Sequence, residues 1–245
     1  MGTHEVPDDV RRQVGEAANH ACARCGTPLF GYSPLDGEGK TDPDSMDPER
    51  LVALCPACRA DAAAGTVDGD ELRSYRTEPA VSTPGEHPFS VGDETPRLVL
   101  GNVVVTLPGT VPEPTPVIRL DAQTLLSVSF ADGRVGLEVD FYDDARPVGT
   151  YADGEWWADD ADAWTVSFST ERRTLKLFND DENVGVAVRA VADPAVLLVT
   201  GSLSYHGKRV HIRRESGVTV PASSTQFSEY DFRLSEDGAA VLSLS

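Results

Sequence analysis

The four cysteines of this chain constrain its possible folds more strongly than any other feature of the sequence. They form two Cys-x2-Cys pairs, Cys22 with Cys25 and Cys55 with Cys58, and the chain has no other cysteine. A tight turn brings residues i and i+3 of such a pair together, so both sulfurs can point at one centre. Four thiolates make a closed tetrahedral site, the usual arrangement of structural zinc. The sequence therefore predicts one structural Zn²⁺ ion, held by Cys22, Cys25, Cys55 and Cys58.

Two other interpretations of this region stay open at the level of sequence. Redox chemistry at one Cys-x-x-Cys pair is usually found beside a βαβ pattern, which the flanking residues lack. His20 lies two residues before Cys22, where it is either a further metal ligand or a polar residue at a helix end. A disulfide framework is disfavoured, because paired spacing with no further cysteine is typical of a reduced compartment.

The charge composition indicates the type of organism and the cellular compartment in which this protein is expected to occur. Its 245 residues hold 40 acidic and 21 basic residues, a formal net charge of −19. Many acidic residues combined with few lysines are typical of a protein from a halophilic organism. The surfaces of halophilic proteins are acidic whatever ligand they bind. There is no secretory signal pattern and no apolar run of about 18 residues, so we expect a cytoplasmic protein without a membrane partner.

The first 76 residues are expected to form short elements around the cysteines. Apolar spacing, prolines and glycines predict a helix over 7–18, a strand over 51–54 and helices over 56–64 and 69–76. Asp68 and Glu71 have capping-box spacing before the last of these helices.

This order of helix, knuckle, loop, strand, knuckle and helix resembles the treble-clef zinc fold of the HNH family. The opening helix reads Pro-x-x-Val-Arg-Arg-x-Val over Pro7 to Val14, as in HNH-signature proteins. Cys-x-x-Cys-Gly-x-Pro-Leu follows over Cys22 to Leu29, and Leu-x-x-Leu-Cys over Leu51 to Cys55. The resemblance covers about residues 5–76 and implies a treble-clef module, which we bound at 1–76.

The residues that carry nuclease chemistry in that family are not found here. An HNH nuclease needs a histidine as general base after the first knuckle, a position that falls near Ser33 or Pro34. No histidine occurs between His20 and His87. Beside the second knuckle, where the family has a His or Asn that helps to hold the catalytic ion, stands Arg59. The resemblance thus implies a zinc scaffold without an active site, and we expect no catalytic residue.

The rest of the chain is expected to be all-β. Residues 77–96 are rich in proline and predict a linker, and 97–245 alternate apolar and polar residues between short turns. The HNH-signature proteins often carry a similar C-terminal β region, which implies stacked, solenoid-like β units, while a β-sandwich stays open. The fold class predicted is α+β.

Three features of the β region have two interpretations each. A basic cluster could bind phosphate or an acidic partner, or could protect an edge strand. An acidic stretch around two tryptophans could hold a cation or a sugar, or could be a solvated loop. The segment from Arg97 to Leu107, which contains the uncharged run Leu98 to Val105, is expected to pair with the β region or with a neighbouring subunit's sheet. The basic cluster is Lys208, Arg209, Arg213 and Arg214, and the acidic stretch is Asp153, Glu155, Asp159, Asp160 and Asp162 around Trp156 and Trp157.

These observations favour a non-catalytic, zinc-stabilised protein that binds a protein partner or assembles with itself through its β region. The alternatives are a divergent HNH endonuclease and a nucleic-acid-binding regulator. Residues 1–76 hold 8 basic and 14 acidic residues, so this module has no net positive charge to attract nucleic acid.

Overall fold

A computed structural model of the chain divides it into two compact units. The first consists of Met1–Pro88 with Asp153–Trp157, and the second of Phe89–Ala152 with Ala158–Ser245. The structure describes residues 6–35, 47–91, 95–107, 109–179, 181, 183–191, 195–214, 217–220, 225–227, 230–233 and 242–244.

Three helices and a two-stranded sheet make up the first unit. They are α1 (Asp8–Ala17), β1 (Gly31–Pro34), β2 (Leu51–Leu54), α2 (Pro56–Ala63) and α3 (Gly69–Thr77), with 3-10 turns at Pro48–Arg50 and Pro84–Glu86. The strands are antiparallel, with Gly31 opposite Leu54. Each expected helix, and the strand over 51–54, is present within one or two residues of its expected ends.

The local sequence explains these elements. Val10 and Val14 lie on one face of α1 and are buried, as helical spacing requires. The capping box at α3 is complete: Asp68 accepts from the backbone N–H of Glu71, and Glu71 accepts from that of Asp68.

The proline-rich segment 77–96, expected to be a linker without regular structure, is packed in part. Pro84–Glu86 form a 3-10 turn, and Val81 and His87 are buried. The backbone N–H of Ala80 donates to the carbonyl of Ala23 at 2.8 Å. Proline content alone does not distinguish a free linker from a chain that packs without long helices or strands.

Apart from a 3-10 turn at Ala161–Ala163, the second unit is all-β in its described part. Its strands are β3 (Arg97–Leu100), β4 (Val103–Thr106), β5 (Val111–Leu120), β6 (Gln123–Ala131), β7 (Arg134–Asp143), β8 (Arg146–Ala152), β9 (Glu155–Ala158), β10 (Trp164–Ser169), β11 (Thr174–Asn179), β12 (Val184–Val191), β13 (Val196–Tyr205), β14 (Lys208–Arg213), β15 (Gly217–Val220), β16 (Thr225–Phe227), β17 (Tyr230–Arg233) and β18 (Leu242–Leu244). Most of β9 belongs to the residues of the first unit.

Two sheets organise these strands. One has the order β10-β11-β12-β13-β14-β15-β16, with β3 on β13, β4 on β3 and β17 on β4. Within the second unit, the other has the order β18-β5-β6-β7-β8. Strand β7 packs against β12 and β13 of the first sheet, and the rings of Phe141 and Trp164 meet edge to face at 4.8 Å. Of the two expected architectures, this arrangement is a sandwich, because consecutive strands pair as antiparallel hairpins instead of stacking coil on coil.

One expectation about this region is wrong. Strand β14, which carries most of the basic cluster, pairs with both β13 and β15, so it is not an edge strand whose charges prevent pairing. The prolines at 112, 114 and 116 lie inside β5, where register shifts against β6 accommodate them.

The uncharged run Leu98 to Val105 pairs within the β region, the first of its two expected outcomes. Strand β3 is parallel to β13 and antiparallel to β4. Leu98, Leu100, Val103 and Val105 are all fully buried.

Candidate metal centre

The two cysteine pairs are held together by the backbone. The first forms a tight turn after α1, in which the N–H of Gly26 donates to the carbonyl of Cys22 at 2.8 Å. Gly26 has a φ of 71°, a conformation that glycine adopts without strain. The second pair starts α2, with Cys55 as its N-cap. The N–H of Ala23 donates to the carbonyl of Ala53 at 2.8 Å, which fixes the first turn against β2.

The four sulfur atoms form one cluster. All lie within 4.8 Å of one another, and those of Cys25 and Cys55 are 3.8 Å apart. Cys22, Cys55 and Cys58 are buried, while Cys25 is exposed. Four converging thiols with this geometry could hold one metal ion.

The thiols affect one another's ionisation. The side chains of Cys25 and Cys55, and then burial, raise the pKa of Cys22 above its ordinary value. Burial, and then Cys55, raise the pKa of Cys58 to about 12. Contacts with Cys22 and Cys55 lower the pKa of Cys25. The cluster thus favours one thiolate, and a cation is needed before all four sulfurs can carry charge together.

A fixed cation lies beside the cluster. The guanidinium of Arg24 forms an ion pair with the carboxylate of Asp61. Asp61, and secondarily Cys58, hold the pKa of Arg24 above its usual range. Arg24 therefore offsets part of the negative charge that a four-thiolate site carries.

His20 has a partner other than the sulfur cluster. Its Nδ1 is 2.9 Å from Oδ2 of Asp153, and among the described residues the metal-binding group contains the four cysteines alone. The structure therefore favours the interpretation of His20 as a polar residue at a helix end.

Two acids of the acidic stretch have specific roles, so the solvated-loop interpretation is wrong for them. Asp153 pairs with His20, and Glu155 is bound by Nε of Arg11 at 3.1 Å to Oε1 and 3.2 Å to Oε2. Glu155 also forms an isolated parallel β-bridge with Phe30, whose N–H donates to the carbonyl of Gly154 at 2.6 Å. Burial raises the pKa of Glu155, although Arg11 acts in the opposite direction.

The tip of this segment requires glycine. Gly154 has a φ of 95°, and a β-carbon there would be 2.3 Å from the carbonyl oxygen of His20. Only a residue without a side chain allows the segment to approach so closely.

Three residues at positions where the HNH resemblance implies nuclease chemistry have structural neighbours in the first unit. Ser33 and Pro34 lie in β1, opposite Val52 and Leu51. The guanidinium of Arg59 lies against the backbone of Gly31, at which a β-carbon would be 2.5 Å from its Nη1.

No protein-family model, no curated protein and no solved structure matches this chain. Among the described residues, none of the helices combines the length and the apolar character that a membrane crossing requires.

Proposed function

We propose that this chain is a non-catalytic interaction protein whose N-terminal module is a treble clef stabilised by one Zn²⁺ ion and derived from an HNH-like scaffold. The observation that carries the proposal is a complete four-thiol cluster next to Arg59, a cation at the place where the nuclease would hold its catalytic ion. The β region supplies the surface for a protein partner or for a second copy of the chain.

The geometry of the sulfurs supports zinc as the metal. A tetrahedral site with Zn–S bonds of about 2.3 Å has sulfur–sulfur edges of about 3.8 Å, and Cys25 and Cys55 have their sulfurs 3.8 Å apart. Four protein ligands leave no open position for water or substrate, so the ion is structural.

The module needs the energy that such an ion supplies. Its core rests on two four-residue strands and three helices of eight to ten residues, and small units of this kind bury little apolar surface. Structural zinc contributes on the order of 10–16 kcal/mol in small modules.

The absence of hydrolytic chemistry is proposed from the residues at the former site. Neither Ser33 nor Pro34 can act as a general base at neutral pH, because a serine hydroxyl is too weakly basic and proline has no ionisable side chain. Arg59 repels a divalent cation where the family places a ligand. We place the protein in the cytoplasm of a halophilic cell, in line with its composition.

Metal analysis and a nuclease assay test this proposal together. The purified chain is expected to contain one zinc per molecule and to leave plasmid and linear DNA intact with Mg²⁺ or Mn²⁺ in molar potassium chloride. Cys58→Ala, which removes one ligand, is expected to lose zinc.

A chain that contains no zinc contradicts the metal assignment. DNA cleavage that persists through purification and disappears on substitution of one acid near the former site supports the endonuclease alternative. Asp36, the acid nearest that site in sequence, lies outside the described residues and remains a useful first substitution.

A further inference from the structure

A cavity lies where the larger sheet of the second unit divides. One edge of β13 is shared by two neighbours: Val196 to Val199 pair with β3, and Gly201 to Tyr205 pair with β14. The cavity at this division has a volume of about 320 Å³. Ligand pockets of proteins range from about 300 to 1,000 Å³, so the space suits a small molecule.

Two arginines and two threonines line this cavity above an apolar floor. Thr174, Arg189, Leu198 and Val99 stand directly opposite one another across four neighbouring strands, and so share one face of the sheet. The complete lining is Val99, Gly101, Thr174, Ala187, Arg189, Leu198, Val199, Thr200 and Arg214.

The two guanidinium groups have no counter-charge among the described residues. Arg189 and Arg214 are exposed, and neither forms an ion pair with a residue that the structure describes. Strands β3, β4 and β10 to β15 contain no aspartate or glutamate, and among the described strands of this sheet β17 alone has an acid, Asp231, opposite Val104 and two strands from Val99. In a chain with 40 acidic residues, a sheet this poor in acids around two arginines is a local reversal of charge.

Further cations extend this positive face. Lys176 is opposite Ala187, a residue of the cavity floor, and Arg209 and His211 follow along β14. Burial, and then the charges of Arg213 and Arg209, lower the pKa of His211.

The backbone at this division of the sheet is packed so tightly that Gly101 and Gly217 have no room for a side chain. A β-carbon at Gly101 would be 2.5 Å from the carbonyl oxygen of Arg213, and one at Gly217 would be 1.7 Å from Oδ1 of Asn102. The β3–β4 turn is thereby held against the end of β14, which fixes the backbone that leads into Arg214.

We propose that this cavity binds the phosphate group of a small phosphorylated molecule. Arg189 and Arg214 would bind the phosphate oxygens, Thr174 and Thr200 would donate hydroxyl hydrogen bonds, and Val99 and Leu198 would contact the organic part. A phosphate monoester carries close to two negative charges near neutral pH, which matches two guanidinium groups better than a single carboxylate does. The site lies in the second unit and does not depend on the metal or on the lack of nuclease activity.

Calorimetric titration with phenyl phosphate tests the site, because this probe has a phosphate and an apolar ring of suitable size. Binding to the full zinc-loaded chain is expected, and Arg189→Gln or Arg214→Gln should weaken it about tenfold or more. Arg213→Gln is the matched control, since it removes the same charge one residue away but outside the lining. Inorganic phosphate should bind more weakly than phenyl phosphate, and benzoate more weakly still.

The variant Ala187→Leu distinguishes the contribution of the cavity to binding from the contribution of the charges around it. This variant keeps every cation but fills the floor, so phenyl phosphate binding should be lost while the melting temperature stays close to that of the parent. If the variant unfolds, Thr200→Val is the second variant: it keeps every cation and removes one hydroxyl of the lining, and it should weaken the binding of phenyl phosphate.

Three results would overturn the proposal. They are no binding of phenyl phosphate to the parent, tighter binding of benzoate than of phenyl phosphate, and equal weakening by Arg213→Gln and Arg214→Gln. A separate arm of the experiment uses a short single-stranded oligonucleotide as the ligand. If it binds with a steep salt dependence that all the arginine variants share, the face is a nucleic-acid surface and not a small-molecule site.

Discussion

The guanidinium of Arg59 lies so close to the backbone of Gly31 that a β-carbon at position 31 would be 2.5 Å from its Nη1. Gly31 is in strand β1 and Arg59 is in helix α2, so the contact joins the sheet to the helix that carries Cys58. The missing side chain of Gly31 is what allows a cation to occupy this place.

This contact predicts non-additive effects of two substitutions. Gly31→Ala in the parent should stabilise the module less than it does in an Arg59→Ala background, because the methyl group displaces the end of the flexible Arg59 side chain. In an Arg59→Ala background the same change should stabilise by about 0.5–1 kcal/mol, since alanine reduces the entropy of the unfolded chain. Urea unfolding of the four proteins measures the coupling. An identical effect of Gly31→Ala in both backgrounds would show that the two residues do not interact.

Metal binding should release protons at neutral pH. The pKa of Cys58 is raised to about 12 and that of Cys22 is also raised, so both thiols are protonated at pH 7 in the metal-free module. Zinc displaces these protons, and its affinity should therefore fall as the pH falls. Calorimetry in two buffers of different ionisation enthalpy should give at least two protons released per zinc. A value near zero would contradict ligation by these thiols.

Because Arg11 forms an ion pair with Glu155, its substitution is expected to cost more stability than substitution of the neighbouring Arg12. Arg11→Gln leaves the largely buried carboxylate of Glu155 without its cation and should cost about 1–3 kcal/mol. Arg12→Gln is the matched control, because Arg12 and its partner Glu16 are both largely exposed, and it should cost about 0.5 kcal/mol or less. Equal losses in the two variants would contradict a specific role for Glu155.

The pH dependence of the Arg11 variant follows from the direction of the Glu155 shift. Burial raises the pKa of Glu155 in the folded chain, so protonation favours the folded state, and stability is lost as the pH rises through that pKa. Without Arg11 this loss grows. The difference between Arg11→Gln and the parent should therefore shrink on acidification and widen towards neutral pH, which unfolding titrations over that range can measure.

Gly154 and Gly207 provide a paired test of the turn that reaches His20. Both have a positive φ, but only Gly154 has an atom in the way of a β-carbon, while Gly207 has nothing within 4 Å. Gly207→Ala should cost about 1–2 kcal/mol for the backbone conformation alone. Gly154→Ala should cost about 1–3 kcal/mol more, because of the clash with the carbonyl of His20. Similar melting temperatures for the two variants would contradict the close approach.

The sequence predicted what depends on nearby residues and missed what depends on distant ones. Cys22 and Cys25 are three residues apart, and the capping box at Asp68 and Glu71 is equally local, so spacing alone indicates them. The partners Asp153 and His20 have no sequence relationship that signals their contact. Spacing within one unit of secondary structure can be read directly, whereas the meeting of two remote segments depends on the whole fold.

The basic cluster shows the same limit in the second unit. The sequence shows a cluster of cations from Lys208 to Arg214, but nothing in that cluster indicates that β15 pairs with the far edge of β14. Arg189 lies on another strand and enters the cavity with Arg214 only because β13 divides its edge between β3 and β14. The absence of acids from these strands was readable in the sequence and is the signal that could have indicated the face.

The uncharged strand pair β3 and β4 allows a test of pairing within the chain against pairing between chains. Val105 is fully buried and Val104 is half-buried on the opposite face. Val105→Lys places a charge in the core and should cost more than about 4 kcal/mol. Val104→Lys should cost about 1 kcal/mol or less, and zinc content should be unchanged in both. Thermal unfolding measures the change in stability, metal analysis measures the zinc content, and size measurement at high salt measures the assembly state. A Val104→Lys chain that melts like the parent but elutes at a smaller size would instead show that this strand joins neighbouring copies.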